Sequence, residues 1–231
     1  MRVHAVAVVL VTALVTTAAA KPRGDRRVAA AEESAAKKPR ADRSIGAPWS
    51  GRLVAAARLE DEGERFYLRR PARTYGTRTT VRFVKQAIRD VYTSHPKAHD
   101  LAVGDLSAEA GGWITEHASH QSGRDVDLGL FYKKPPKGYP ASFIVATTEN
   151  LDMAAMWTLL SSLARTTDED GGVQMIFFDA KLTAALRKWA EKREINAKRQ
   201  AKVFSLLHHH PNHADHIHVR FKCRARDTKC R

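Results

Sequence analysis

The sequence predicts an α+β fold, a small and mostly antiparallel sheet flanked by helices. Two patterns lead there. Three stretches have helical apolar spacing, and four short strand-like runs lie scattered among them without the regular alternation of a parallel βαβ sheet. The chain has 231 residues, 43 % of them hydrophobic, and the roughly 180 that follow the N-terminal region suffice for one ordinary apolar core.

The elements follow in chain order. Met1, Arg2 and His4 make a basic start, Ala5 to Val15 is apolar, and Ala18-Ala19-Ala20 offers small residues before Lys21, the layout of a secretory signal peptide over residues 1–20. Thr12, Thr16 and Thr17 make this run a weak membrane span, so no stable membrane insertion is expected after cleavage. Residues 21–47 are rich in Ala, Lys, Arg and Pro with almost no large apolar side chain, and are expected to be a basic linker. A domain over residues 48–231 should follow. Val81, Val84, Ile88, Val91 and Tyr92 mark a first helix that Pro96 stops. Asn150 is expected to cap a second helix from Leu151 to about Ala164, and Asp179 a third with Leu182, Ala185, Leu186 and Trp189 on its apolar face. Strands are expected at Leu101–Leu106, Val126–Tyr132, Val173–Phe178 and His216–Phe221.

Composition limits the function classes. With 39 Lys+Arg against 25 Asp+Glu the net charge is +14, and the excess is concentrated in Lys181–Lys202 and Val219–Arg231. Basic patches attract polyanions. No finger, homeodomain or aromatic RNA-binding pattern is present, and export removes the usual target, so a nucleic-acid partner is not expected. Two cysteines are too few for a disulfide scaffold. In an exported chain, however, Cys223 and Cys230 should pair and close a short C-terminal loop.

The chemistry is in the histidines. Of 11 in the chain, His208, His209, His210, His213, His216 and His218 crowd one short stretch. It ends in His216-Ile217-His218-Val219-Arg220-Phe221, whose strand alternation sends Ile217, Val219 and Phe221 to the core and both imidazoles to the other face. Upstream, Gly112 and Gly123 bracket a loop containing His117 and His120 that leads into a strand where Asp125 and Asp127 share a face. His120, Asp127 and one histidine of the last strand would form a two-His, one-carboxylate set suited to zinc with an open fourth position. Such an ion lowers the pKa of its water to about 7 and polarises a carbonyl, which suits amide hydrolysis. His216, His213 and His117 would then move protons or stabilise the oxyanion. A solvated basic surface and a non-catalytic metal site are the two other readings.

His120-x6-Asp127 followed by His216-x-His218 resembles the zinc peptidases grouped with lysostaphin and the D-Ala-D-Ala peptidases. Closer still, Gly104-Asp105-Leu106-Ser107, Gly111-Gly112, His117-Ala118-Ser119-His120-Gln121-Ser122-Gly123-Arg124-Asp125-Val126-Asp127 and His213-Ala214-Asp215-His216-Ile217-His218-Val219-Arg220 resemble the penicillin-insensitive murein endopeptidases, as does Arg73-Thr74-Tyr75-Gly76-Thr77. The resemblance implies a zinc peptidase domain in the periplasm, with the sheet carrying the metal ligands, that cuts the D-alanyl–meso-diaminopimelyl cross-link between peptidoglycan stem peptides. His120, Asp127 and His218 would bind zinc, with His216 as catalytic histidine and His117 and His213 lining the site. Apart from the resemblance, Trp113 beside the site is read as a wall of the substrate groove. Tyr75 and Arg78 are read either as reaching stem-peptide carboxylates or as part of an exposed loop without a catalytic role, and Asp105 and Ser107 either as bracing the His117–His120 loop or as bonding only their own backbone. A D,D- or L,D-carboxypeptidase and a non-catalytic wall-binding module are the alternatives.

Overall fold

The structure is a computed structural model and describes residues 41–231. The expected signal peptide and the linker up to residue 40 lie outside the described residues. The folded region begins earlier than residue 48, because Arg43–Ala47 is a strand (β1) paired antiparallel with Ser50–Val54 (β2). Composition misses this segment because polar and backbone bonds hold it. Gly46 N–H donates to Lys229 O (2.8 Å), Arg231 N–H donates to Gly46 O (3.0 Å), and buried Asp42 accepts from Arg224. Ala57–Arg58 (β3) pairs with Tyr75–Gly76 (β5) in a second small ladder.

The main sheet has six strands. They are Phe66–Leu68 (β4), Leu101–Val103 (β6), Asp125–Gly129 (β7), Val173–Phe177 (β8), Leu207–His208 (β9) and His216–Phe221 (β10), in the spatial order β4-β6-β7-β10-β8-β9. The three inner pairings are antiparallel, as the sequence predicts. The two edge pairings, β4 with β6 and β8 with β9, are parallel. The expected strand from Leu101 ends at Val103, since Leu106 N–H leaves the ladder for Arg73 O (2.7 Å). Along β10 the alternation is as read: Ile217, Val219 and Phe221 are fully buried, while register sets His218 opposite Asp127 and Arg220 opposite Asp125 on β7. Directly opposed residues share a face, so this one register brings both carboxylates beside the imidazole and the guanidinium.

Helices cover the apolar face. Arg78–Ser94 (α1) starts where Thr77 Oγ1 accepts from Thr80 N–H (3.1 Å) and buries Val81, Val84, Ala87, Ile88 and Val91. Phe83 of α1 stacks on Phe221 of β10 with ring centroids 6.1 Å apart. Met153–Arg165 (α2) is capped by Asp152 rather than Asn150, whose side-chain oxygen is committed to Thr147 N–H in the preceding turn. Ala180–Lys192 (α3) carries the expected Asp179 cap. A further helix, Ala197–Phe204 (α4), gives little sequence signal, because only Val203 and Phe204 of its eight residues are buried. Trp157 meets Trp189 and Phe204 at 6.4 and 5.8 Å, which makes it a core residue joining α2 to α3 and α4. Cys223 and Cys230 are disulfide-bonded, as expected.

Candidate metal centre

Three segments meet on the polar face of the sheet: the loop from Gly104 to Gly123, strand β7 and strand β10. The loop is pinned from outside by the N-terminal hairpin, where Gly112 N–H donates to Gly51 O (3.1 Å), Gln121 N–H to Pro48 O (3.0 Å) and Leu53 N–H to Ala110 O (2.9 Å). Gly112 and Gly123 both lie at positive φ, 79° and 70°, which turns the chain back over β7. His120 itself has φ 66°, an uncommon conformation for a non-glycine residue. Its own bonds hold it there. The backbone N–H donates to Asp125 Oδ2 (3.0 Å) and the ring Nδ1 to Leu106 O (2.8 Å).

That ring bond fixes the tautomer. A carbonyl only accepts, so Nδ1 carries the proton and Nε2 offers a lone pair. His120 Nε2 lies 3.1 Å from His218 Nδ1 and 3.3 Å from Asp127 Oδ1, and His218 Nδ1 lies 3.0 Å from Asp127 Oδ1. All three side chains are buried. Two imidazole nitrogens and a carboxylate oxygen so close together form a donor set that fits a divalent cation of the zinc class. The other nitrogen of His218, Nε2, is buried without a hydrogen-bond partner and lies 3.4 Å from Asp125 Oδ1. Asp125 thus steadies both histidines, and Arg220 Nε holds it at 2.8 Å.

His117 widens the set. His117, His120 and Asp127 each offer a ligand atom within 4.8 Å of the others. His117 Nε2 donates to Asp105 Oδ2 (2.8 Å), leaving Nδ1 turned toward Asp127 Oδ2 at 3.7 Å. The sequence gives His117 only a lining and proton-carrying role; its geometry also suits a ligand. Arg70 and Arg73 hold Asp105 at 2.9 and 3.0 Å.

Electrostatics follows from this crowding. Burial disfavours the charged form of His218, yet Asp125 and Asp127 outweigh it and raise the imidazole to about 9. Burial also opposes charge at Asp127, but His120 and His218 hold its carboxyl well below the usual range. At Asp105 burial is outweighed by His117, Arg73 and Arg70, which lower it.

On the open side lies a cleft of about 270 Å³, lined among others by Arg69, Arg70, Asp105, His117, Asp127, Phe143 and His216. His216 Nε2 is 3.9 Å from Asp127 Oδ1, its Nδ1 donates to Asp215 Oδ1 (2.6 Å), and its ring stacks on Phe143 at 4.9 Å. His213 stands behind it, ring centroids 4.7 Å apart, with Nδ1 donating to Pro211 O (2.8 Å). Burial and the neighbouring imidazoles hold His213 below its ordinary value.

A family model described as penicillin-insensitive murein endopeptidase matches residues 44–231. The chain belongs to this family. Penicillin-insensitive murein endopeptidases of Yersinia pestis, Escherichia coli O1:K1 and Klebsiella pneumoniae subsp. pneumoniae are similar to it, at 26 %, 27 % and 26 % identity over 81 % of this chain and 68 %, 69 % and 69 % of theirs. It is therefore an enzyme of the peptidase class.

Within the peptidase the expected site residues divide into two groups. His117, His120, Asp127, His213, His216 and His218 come together. Tyr75, Arg78 and Trp113 do not line the cleft. Tyr75 sits on β5 with Arg58 5.8 Å from its ring, Arg78 N–H donates to Asp42 Oδ2 (2.8 Å), and Trp113 is 70 % exposed. Of the two expected braces, Asp105 holds His117, whereas Ser107 donates to Tyr75 O (2.8 Å) and Ala108 O (2.9 Å). Asp125, Arg69 and Phe143 carry no such expectation. Asp125 was legible as a neighbour of Asp127 on one strand face; Arg69 and Phe143 reach the cleft only through tertiary contacts.

Proposed function

We propose that this chain is a zinc-dependent murein endopeptidase of the periplasm that hydrolyses the D-alanyl–meso-diaminopimelyl cross-link of peptidoglycan. The observation that carries the reading is the convergence of His120, Asp127 and His218 beneath a cleft that Asp127 and His216 line. His120, Asp127 and His218 would hold the zinc, with His117 close enough to join them. When bound, the metal supplies a Lewis acid that acidifies water and polarises a carbonyl.

The chain's own residues do the rest. Asp215 accepts the Nδ1 proton of His216, so Nε2 is the basic nitrogen and faces the cleft. His216 takes a proton from the attacking water and returns it to the departing amine as the carbon–nitrogen bond breaks. His117, clamped by Asp105, fixes the opposite wall. His213 packs behind His216 and keeps that ring in place. The disulfide suits an oxidising compartment, and among the described residues no helix is long and apolar enough to cross a membrane.

The same machinery would serve a D,D- or L,D-carboxypeptidase, because it does not choose the bond. Incubating the full chain with cross-linked muropeptide dimers and, separately, with uncross-linked pentapeptide monomers distinguishes them by mass spectrometry. The reading expects dimers to become monomers and pentapeptides to persist. Pentapeptides trimmed while dimers stay intact would replace it with the carboxypeptidase.

A further inference from the structure

The cleft holds a cation that the mechanism above does not use. Arg69 follows β4, with its N–H anchored on Val103 O (2.9 Å). Its guanidinium lies 4.1 Å from the centroid of the Phe143 ring, and its Nε donates to Ala141 O (3.2 Å). Phe143 is the ring that stacks on His216, with the planes 9° apart. It can pack this low because residue 104 is glycine: a Cβ there would stand 2.7 Å from Phe143 Cζ and 3.1 Å from Asp127 Cβ. The guanidinium is thereby one aromatic ring away from the reaction centre.

Other polar groups in the cleft have partners. Arg70 pairs with Asp105 (2.9 Å) and Glu116 (2.5 Å), while the His117 and His216 rings hydrogen-bond to Asp105 and Asp215. Arg69 lines the same cleft and has no carboxylate partner among the described residues. Its Nε is committed to Ala141 O, and its Nη groups are left for an anion. A guanidinium held on an aromatic face, with its outer nitrogens free, is suited to a planar carboxylate.

We infer that Arg69 is a specificity residue that binds the free carboxylate on the amine side of the scissile bond. The assignment rests on the endopeptidase reading above. In that cross-link the amide nitrogen is attached to a carbon that also bears a carboxylate, a few bonds from the reacting carbonyl. A carbonyl beside Asp127 and His216 leaves that anion to reach across Phe143 to Arg69. Tyr75 and Arg78, the carboxylate contacts expected from sequence, do not line the cleft.

Two synthetic cross-linked stem dimers provide the test, identical except that this carboxylate is free in one and amidated in the other. For the full chain kcat/KM should favour the free acid by about ten- to hundredfold, the range of a charge-assisted hydrogen bond. Arg69→Ala should abolish the preference by slowing the acid alone, chiefly through KM, and Arg69→Lys should keep part of it, with metal content and melting temperature equal in all three proteins. Equal slowing on both dimers, or a preference that survives in Arg69→Ala, overturns the assignment. If the unsubstituted chain cleaves neither dimer, the endopeptidase reading fails separately and calorimetric titration of the same two peptides decides. Tighter binding of the acid that Arg69→Ala abolishes sustains the assignment, and equal binding overturns it.

Discussion

His218 is held by two carboxylates, and this sets how the metal-free site responds to pH. Its folded value is raised to about 9 from an ordinary 6.5, so its contribution to stability is complete below pH 6.5 and is lost as pH rises through 9. The melting temperature of chelator-treated protein should therefore fall across that window relative to its His218→Gln variant, as followed by calorimetry. Zinc affinity should rise over the same window, because binding requires the proton to leave the ring. Asp105 is the second residue to test. It touches His117, Arg70 and Arg73 at once, and partners of metal-site histidines typically matter by about 10- to 100-fold. Asp105→Asn should lower kcat by that order while leaving the fold intact by circular dichroism. Asp127, His216 and His218 were legible because strand alternation places them on the polar face, and His117, His120 and His213, which lie in loops, because they carry the family motifs. Arg69 and Phe143 were not, since neither lies within a periodic pattern and both meet the site through contacts distant in sequence.

The elements that could be read were those with a strong local signal. β10 keeps the boundaries expected for it, and α3 begins at the expected cap, where Asp179 Oδ1 accepts from Lys181 and Leu182 N–H at 2.8 and 3.0 Å. Asp179→Ala should cost about 1 kcal/mol in urea unfolding without changing activity. The elements that escaped are short or polar. β3, β5 and β9 have two residues each, too few to show a period, and α4 buries only its C-terminal end. β1 was hidden for another reason. Its bonds go to β2 and to the far C-terminus, and composition does not report partners.

In the molecule as a whole, the two ends of the described region, residues 41–231, together brace the loop carrying His117 and His120. Arg224 is 4 % exposed and Asp42 1 %, and the guanidinium binds Asp42 (2.5 Å) and Asp227 (2.7 Å) while the disulfide closes the same tail. The tail holds β1, and the β1–β2 hairpin holds the loop carrying His117 and His120. Removing one partner from a buried ion pair strands the other, so Arg224→Ala should cost about 3–5 kcal/mol by denaturant unfolding. On the proposed function, a metal held by His120, Asp127 and His218 is required to cut the peptidoglycan cross-link. Mass spectrometry of purified cross-linked muropeptide dimers, incubated with the full chain, with the chain plus a zinc chelator, and with His218→Ala, tests it most directly. Conversion to monomers by the untreated chain alone, restored to the chelated sample by added zinc, is the predicted result. Cleavage that persists with chelator or in His218→Ala, or dimers left intact by zinc-loaded protein, would contradict it.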